Sequence, residues 1–155
     1  MAGIFGSDLY LVFTQGGSRY ALPLAGVDEV LDPPPLGFVP QAPAACLGVI
    51  VRQGQVLAVL DAGEILSAGG GGEPRRAEGP LTRLIVLSYS DMKVVLRVDR
   101  VDRIAPLTGE TRPTAAAPGP AGPGLVECAC SEPDGLVLRL NTPALASEID
   151  RVFQR

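Results

Sequence analysis

Apolar positions along this chain alternate with polar ones or gather into short runs, and turn residues separate them. That pattern predicts strands rather than long helices. The first strand reads over residues 9–14 and turns at Gln15-Gly16-Gly17-Ser18; the chain returns over 19–24 with Tyr20, Leu22 and Leu24 on one face. Pro23 has no N–H to give, so it predicts an edge strand or a break in the ladder. Residues 27–31 form a short amphipathic piece that the triple proline 33–35 ends. Runs at 46–51 and 55–60 flank a turn at Arg52-Gln53-Gly54, and both are so nearly continuous in apolar residues that both faces are expected to be covered.

Asp61 stands where a helix N-cap would, with Glu64 three residues on, predicting a short helix over 62–67. The glycine-rich stretch from Gly69 to Gly79-Pro80 reads as a surface loop within one domain, a domain linker being the alternative. Residues 84–87 and 94–98 pair around Ser90-Asp91, and apolar spacing at 98, 101 and 104 predicts a bulge or bend near Asp99. Residues 108–124, dense in proline and glycine, read as an irregular loop. Residues 125–130 and 136–140 pair across Pro133-Asp134-Gly135. The tail is a helix capped by Thr142, with Pro143 at its first position and Leu145, Ile149, Val152 and Phe153 on its apolar face. It is expected to pack on its own domain.

Composition narrows the chemistry. The 155 residues, enough for one domain, contain no His and no Trp, which removes Ser–His, Cys–His and His-ligated metal mechanisms. The 19 glycines and 15 prolines approach disordered composition, yet 46% of residues are hydrophobic and the mean hydropathy is +0.27, so a core can form. A net charge of −4 offers no basic face for nucleic acid or an anionic membrane. No apolar run approaches the ~18 residues of a membrane span, the first residues lack a signal-peptide pattern, and the expected compartment is the cytoplasm. Three cysteines do not make a disulfide framework. Cys128 and Cys130 share a strand face and read as small buried residues, a redox or metal pair being the alternative. Asp99 and Asp102, set among Arg97, Arg100 and Arg103, read as a solvated ladder of opposite charges. No residue set defines a reaction; no enzyme, metal or cofactor is expected.

The order of motifs then becomes informative. The series Tyr10-Leu11-Val12-Phe13, Gly16-Gly17-Ser18-Arg19-Tyr20, Val27-Asp28-Glu29-Val30, Pro40 with Pro43, Gly48-Val49-Ile50, Gly54, Val59-Leu60-Asp61, Leu84-Ile85-Val86-Leu87 and Leu96 to Val101 resembles the CheW family of bacterial chemosensory coupling proteins over roughly residues 8–150. The resemblance implies an all-β fold: two intertwined five-stranded SH3-like β-barrels sharing a core, with a short C-terminal helix. It divides one domain (8–153) into a first barrel at about 15–68, a second at about 80–141 with the N-terminal strand, and a helix at 143–153.

The resemblance also implies a non-enzymatic adaptor that bridges a chemoreceptor's cytoplasmic tip and the regulatory domain of a CheA-type histidine kinase. By position, Val27, Glu29, Gly48 and Ile104 match receptor-facing residues, and Arg112, Pro113 and Gln53 match kinase-facing ones. Read from the residues alone, Val27 and Ile104 are equally ordinary core, Gly48 a tight strand contact and Glu29 a solvated charge. A competing CheW-like regulator, or a small-ligand sensor using the cleft between barrels, is the alternative function. The family's usual Arg-Gly is here Gln53-Gly54, its following Pro is Ala58 and its Asp-Leu-Arg is Asp61-Ala62-Gly63. Val95 and Arg83 also depart from the pattern. Arg52 is expected on the opposite strand face from position 53 unless the turn redirects it.

Overall fold

The computed structural model describes residues 8–67, 78–89, 91–113 and 124–154. The alternating runs become β1 (Tyr10–Gln15), β2 (Ser18–Pro23), β3 (Val27–Leu31), β4 (Cys46–Arg52), β5 (Gln55–Asp61), β6 (Arg83–Tyr89), β7 (Met92–Val98), β8 (Arg100–Ala105), β9 (Glu110–Pro113), β10 (Val126–Glu132) and β11 (Gly135–Leu140). Two helices complete the described residues, α1 (Ala62–Leu66) and α2 (Thr142–Phe153), and a single 3₁₀ turn (Leu24–Gly26) joins β2 to β3. One sheet orders its strands β8-β1-β2-β11-β10-β9 and the other β3-β6-β7-β5-β4. Each sheet therefore draws strands from both sides of the 69–79 segment. The expected five-plus-five count becomes five plus six because Glu110–Pro113, expected within an irregular loop, pairs with β10.

β5, β6 and β7 are apolar on both faces because each face meets an apolar cluster. On one face of the five-stranded sheet, Ile50, Leu57, Val59, Leu84, Val86 and Val95 form a cluster of their own. On its other face Leu60, Ile85, Leu87, Leu96 and Val98 pack with Leu11, Phe13, Tyr20, Leu22, Ala129, Leu138 and Leu140 of the six-stranded sheet. The far face of the six-stranded sheet holds a smaller cluster of Val12, Ala21 and Val137. Helix α2 closes the shared core with Leu145, Ile149 and Val152, so it packs on its own domain as expected. Phe153 departs from its predicted apolar stripe and is about half exposed. Cover on both faces also stops short at the β4–β5 tip, where the directly opposed Val51 and Val56 are 67% and 68% exposed.

Local chemistry explains the boundaries. β2 lies between β1 and β11, so it is no edge strand; but β11 pairs with it only at Tyr20 and Ala21, and Pro23 sits beyond that ladder. The bend expected near Asp99 separates β7 from β8, and Asp102 is the extra residue where Val12 faces Arg103 and Phe13 faces Val101. These aspartates are not the solvated ladder expected. The Gly16 N–H donates to Asp99 Oδ2 at 3.0 Å and the Thr14 hydroxyl to Asp102 Oδ2 at 2.7 Å. Asp102 also meets Arg100 at 2.6 Å. Helix α2 is capped by Asn141, whose side chain accepts from the Ala144 N–H at 3.1 Å, one residue before the expected Thr142.

Asp61 does what its spacing predicted and more. Its Oδ2 accepts from the Glu64 N–H at 3.1 Å, and its Oδ1 lies 3.7 Å from Arg97 Nη2, with only 5% of the side chain exposed. Asp61→Ala removes the cap and leaves the mostly buried Arg97 without this counter-charge, a loss expected at about 2–4 kcal/mol. Asp61→Asn keeps an acceptor for Glu64 and costs less; urea unfolding of the three proteins measures the order.

Burial sets a second expectation. It pushes the Cys130 thiol up to about 11, with the neighbouring Cys128 adding to the rise, and Tyr89 up to about 12 against a smaller opposing interaction with Thr142. Both groups stay protonated in the native state at pH values where the unfolded chain ionises. The native state then binds more protons, so stability falls as pH rises from about 9, first through Cys130 and then through Tyr89. Urea midpoints between pH 8 and 11 are expected to drop, and Cys130→Ala to flatten that slope.

Candidate functional site

The structure separates the sequence-selected residues into three places. Val27 lies on β3 opposite Leu87 and packs, half-buried, against the shared core. Ile104 lies on β8 opposite Leu11, a core residue, so it occupies the core-facing side of its sheet; at this sheet edge it is nonetheless 53% exposed. The ordinary-core reading therefore holds in part for Val27 and fails for Ile104. Val30, paired with the core residue Ile85, and Leu9, two residues before Leu11, extend the same apolar faces and are also exposed. The alternation pattern identified their faces but not that the facing sheet stops short of them.

Glu29, Gly48 and Gln53 belong to the second place, where the outer strands of the five-stranded sheet meet. β3 and β4 are its opposite edges, yet Arg52 Nη2 donates to Glu29 Oε1 at 2.5 Å. Beside this contact, Gly37 and Val49 exchange backbone hydrogen bonds of 2.8 and 3.0 Å. Glu29 is thus an ion-pair partner rather than a solvated charge. Gln53 is exposed in the turn at φ 50°, and Arg52, still in the ladder opposite Gln55, shares the strand face of Ile50 and so reaches Glu29. A guanidinium does lie beside position 53, on Arg52, a candidate that residue-by-residue matching missed. Its signal was the adjacent basic residue at a tight turn.

Gly48 has φ 152°, and a Cβ there would stand 2.5 Å from the Gly37 carbonyl oxygen and 2.9 Å from Leu36 Cβ. Close backbone approach therefore accounts for this glycine.

Arg112 and Pro113 make up the third place, on β9 at the edge of the six-stranded sheet. Every other Lys or Arg among the described residues has an acidic partner, from Arg19 with Asp134 to Arg151 with Glu148. Arg112 is exposed and has none among the described residues. A free guanidinium on a sheet edge is suited to a carboxylate on another molecule. The structure does not bring Arg112 to Gln53; they lie on different sheets.

No group of three or more potential metal ligands occurs among the described residues. No helix among them is long and apolar enough to cross a membrane. What the three places offer is contact: exposed apolar side chains on sheet edges, one cation without an acidic partner among the described residues, and a joined pair of edges with an exposed turn.

Comparison with known proteins is consistent with this. Residues 9–150 match the family model described as CheW-like domain. Among solved structures the chain resembles the scaffolding protein TtCheW from Thermoanaerobacter tengcongensis, with a TM-score of 0.74 at 20% sequence identity, over 87% of this chain and 89% of that one. Among curated proteins none matches.

Gly48→Ala forces a side chain into the Gly37 carbonyl at an unfavourable φ, and a loss of about 2–4 kcal/mol is expected in chemical unfolding. Gln53→Gly, which relaxes a left-handed residue at an exposed turn, is expected to be neutral or slightly stabilising.

Proposed function

Since the chain belongs to the CheW-like domain family, we propose that it is a non-enzymatic adaptor of a bacterial chemosensory pathway, joining a chemoreceptor's cytoplasmic tip to the regulatory domain of a CheA-type histidine kinase. The observation that carries this reading is Ile104, a large apolar side chain held half-exposed on a sheet-edge strand while its neighbours across the ladder are buried. Such a residue stabilises the folded chain little but contributes fully when a partner covers it. Ile104, with Val27 beside the core and Glu29 and Gly48 at the joined edges, forms the receptor-facing set. Arg112 and Pro113 on β9, with Gln53 at the β4–β5 turn, form the kinase-facing set.

The adaptor reading needs no chemistry from the chain. Its partners are proteins, and their cytoplasmic portions put its work in the cytoplasm. Recognition combines a few apolar anchors with one guanidinium, so separate changes are expected to affect separate partners.

The test uses the purified chain with the kinase regulatory domain and receptor tips encoded in the same genome. Ile104→Asp is expected to weaken receptor-tip binding at least about tenfold while the melting temperature stays within ~2 °C, because the side chain is already half in water. Arg112→Ala is expected to weaken kinase-domain binding about three- to thirtyfold and leave receptor binding alone. If the unmodified chain captures no kinase domain, or captures no receptor tip, the adaptor reading is overturned. A ligand-dependent rise in melting temperature in a metabolite screen, without partner capture, favours the small-ligand alternative.

A further inference from the structure

β9 carries Arg112 but has little to hold it. Four residues long, it pairs only with β10 among the described residues, from Glu110 opposite Ser131 to Pro113 opposite Cys128. The chain enters it at Gly109, whose N–H donates to Glu132 Oε2 at 2.6 Å. A Cβ on Gly109 would fall 1.6 Å from the Ser131 carbonyl oxygen, so the backbone lies flush against β10 at that point. The Glu132 carboxylate is 3% exposed and its Oε1 lies 3.8 Å from Arg103 Nη2. Arg103 in turn meets Asp134 at 2.5 Å, and Asp134 is shared with Arg19 at 3.0 Å. Arg103 is the immediate neighbour of Ile104 on β8.

We infer that Glu132 is a positioning residue, clamping the start of β9 so that Arg112 is presented at a fixed place, with Arg103 of β8 fixing the carboxylate in turn. A charge-assisted bond to one backbone N–H, made by a nearly buried carboxylate, holds a strand end more firmly than the short ladder alone. The residue that aims the free guanidinium is therefore on β10, and it is tied to the strand that presents Ile104. This rests on the adaptor reading for what Arg112 contacts. The clamp itself stands on geometry.

Hydrogen exchange and binding of the full chain test it together. In Glu132→Ala, the amides of Gly109 to Arg112 are expected to exchange at least about tenfold faster while those of Val94 to Val98 in the core keep their rates. Kinase-domain affinity should fall about tenfold and receptor-tip affinity stay within about twofold. Glu132→Gln retains an acceptor for Gly109 and is expected to restore most of both readouts, which a general loss of stability would not allow. Arg103→Gln, which removes the support for the carboxylate, should fall between. If Glu132→Ala speeds exchange everywhere alike, or leaves the β9 amides unchanged, the positioning role is overturned. If the unmodified chain binds no kinase domain, the adaptor reading falls, and the exchange of Gly109 to Arg112 still decides the clamp.

Discussion

Everything in this protein depends on burying both faces of the same strands. A single half-buried sheet has one apolar face and turns the other to water. Here β6 and β7 place Leu84, Val86 and Val95 on one side and Ile85, Leu87, Leu96 and Val98 on the other, and every one of these side chains is buried. The first set fills the inner cluster of its own sheet; the second meets the other sheet and α2. Neither sheet has an independent existence under that constraint, because removing one exposes the whole outer face of its neighbour. At roughly 25 cal/mol per Å² of apolar surface buried, the shared interface is a favourable contribution that neither sheet obtains alone.

That constraint also decides where apolar surface is left exposed. A core shared between two sheets ends where one sheet runs out, and apolar side chains of the pattern then reach water: Leu9, Val30 and Ile104 are of this kind. The charged residues follow a complementary rule. Arg52 meets Glu29 across the open edges of the five-stranded sheet, and Arg103 meets Glu132 and Asp134 at the end of the six-stranded one. Such pairs use up charge at the places where edges approach each other. What remains without an acidic partner among the described residues is Arg112, on the strand that ends the sheet order among those residues.

The sequence made the strands readable because period-two alternation is a local property. Asp61 with Glu64 was equally local, and the expected cap formed. The misses share a cause: each depends on what lies across space. Glu110–Pro113 has almost no apolar signal and is a strand only because β10 offers it a ladder. Val51 and Val56 read as buried on composition, yet both are largely exposed at the β4–β5 tip. Asp99 and Asp102 looked solvated because alternating charges usually are, but the β1–β2 hairpin supplies them with the Gly16 N–H and the Thr14 hydroxyl. The candidate site was legible only through resemblance to a family, and there a match position by position missed Arg52. Arg52 meets Glu29 because β3 and β4, separate in the chain, approach each other in the fold, and sequence spacing cannot register that.

The proposed adaptor would have to present separate contacts in a fixed relation, and this fold can set such a relation with few parts. Ile104 and Arg112 lie on the two outermost strands of one sheet, eight residues apart in the chain and separated in the ladder by β1, β2, β11 and β10. Rolled flat, that sheet would hold them far apart; the Arg103–Glu132–Gly109 contacts instead tie the strand bearing one to the entry of the strand bearing the other. The connection between β8 and β9 is thereby short in the chain and braced by a nearly buried carboxylate. Relative placement of the two strands then rests on side-chain contacts rather than on a loop, which the proposed adaptor would require to hold two partners in register.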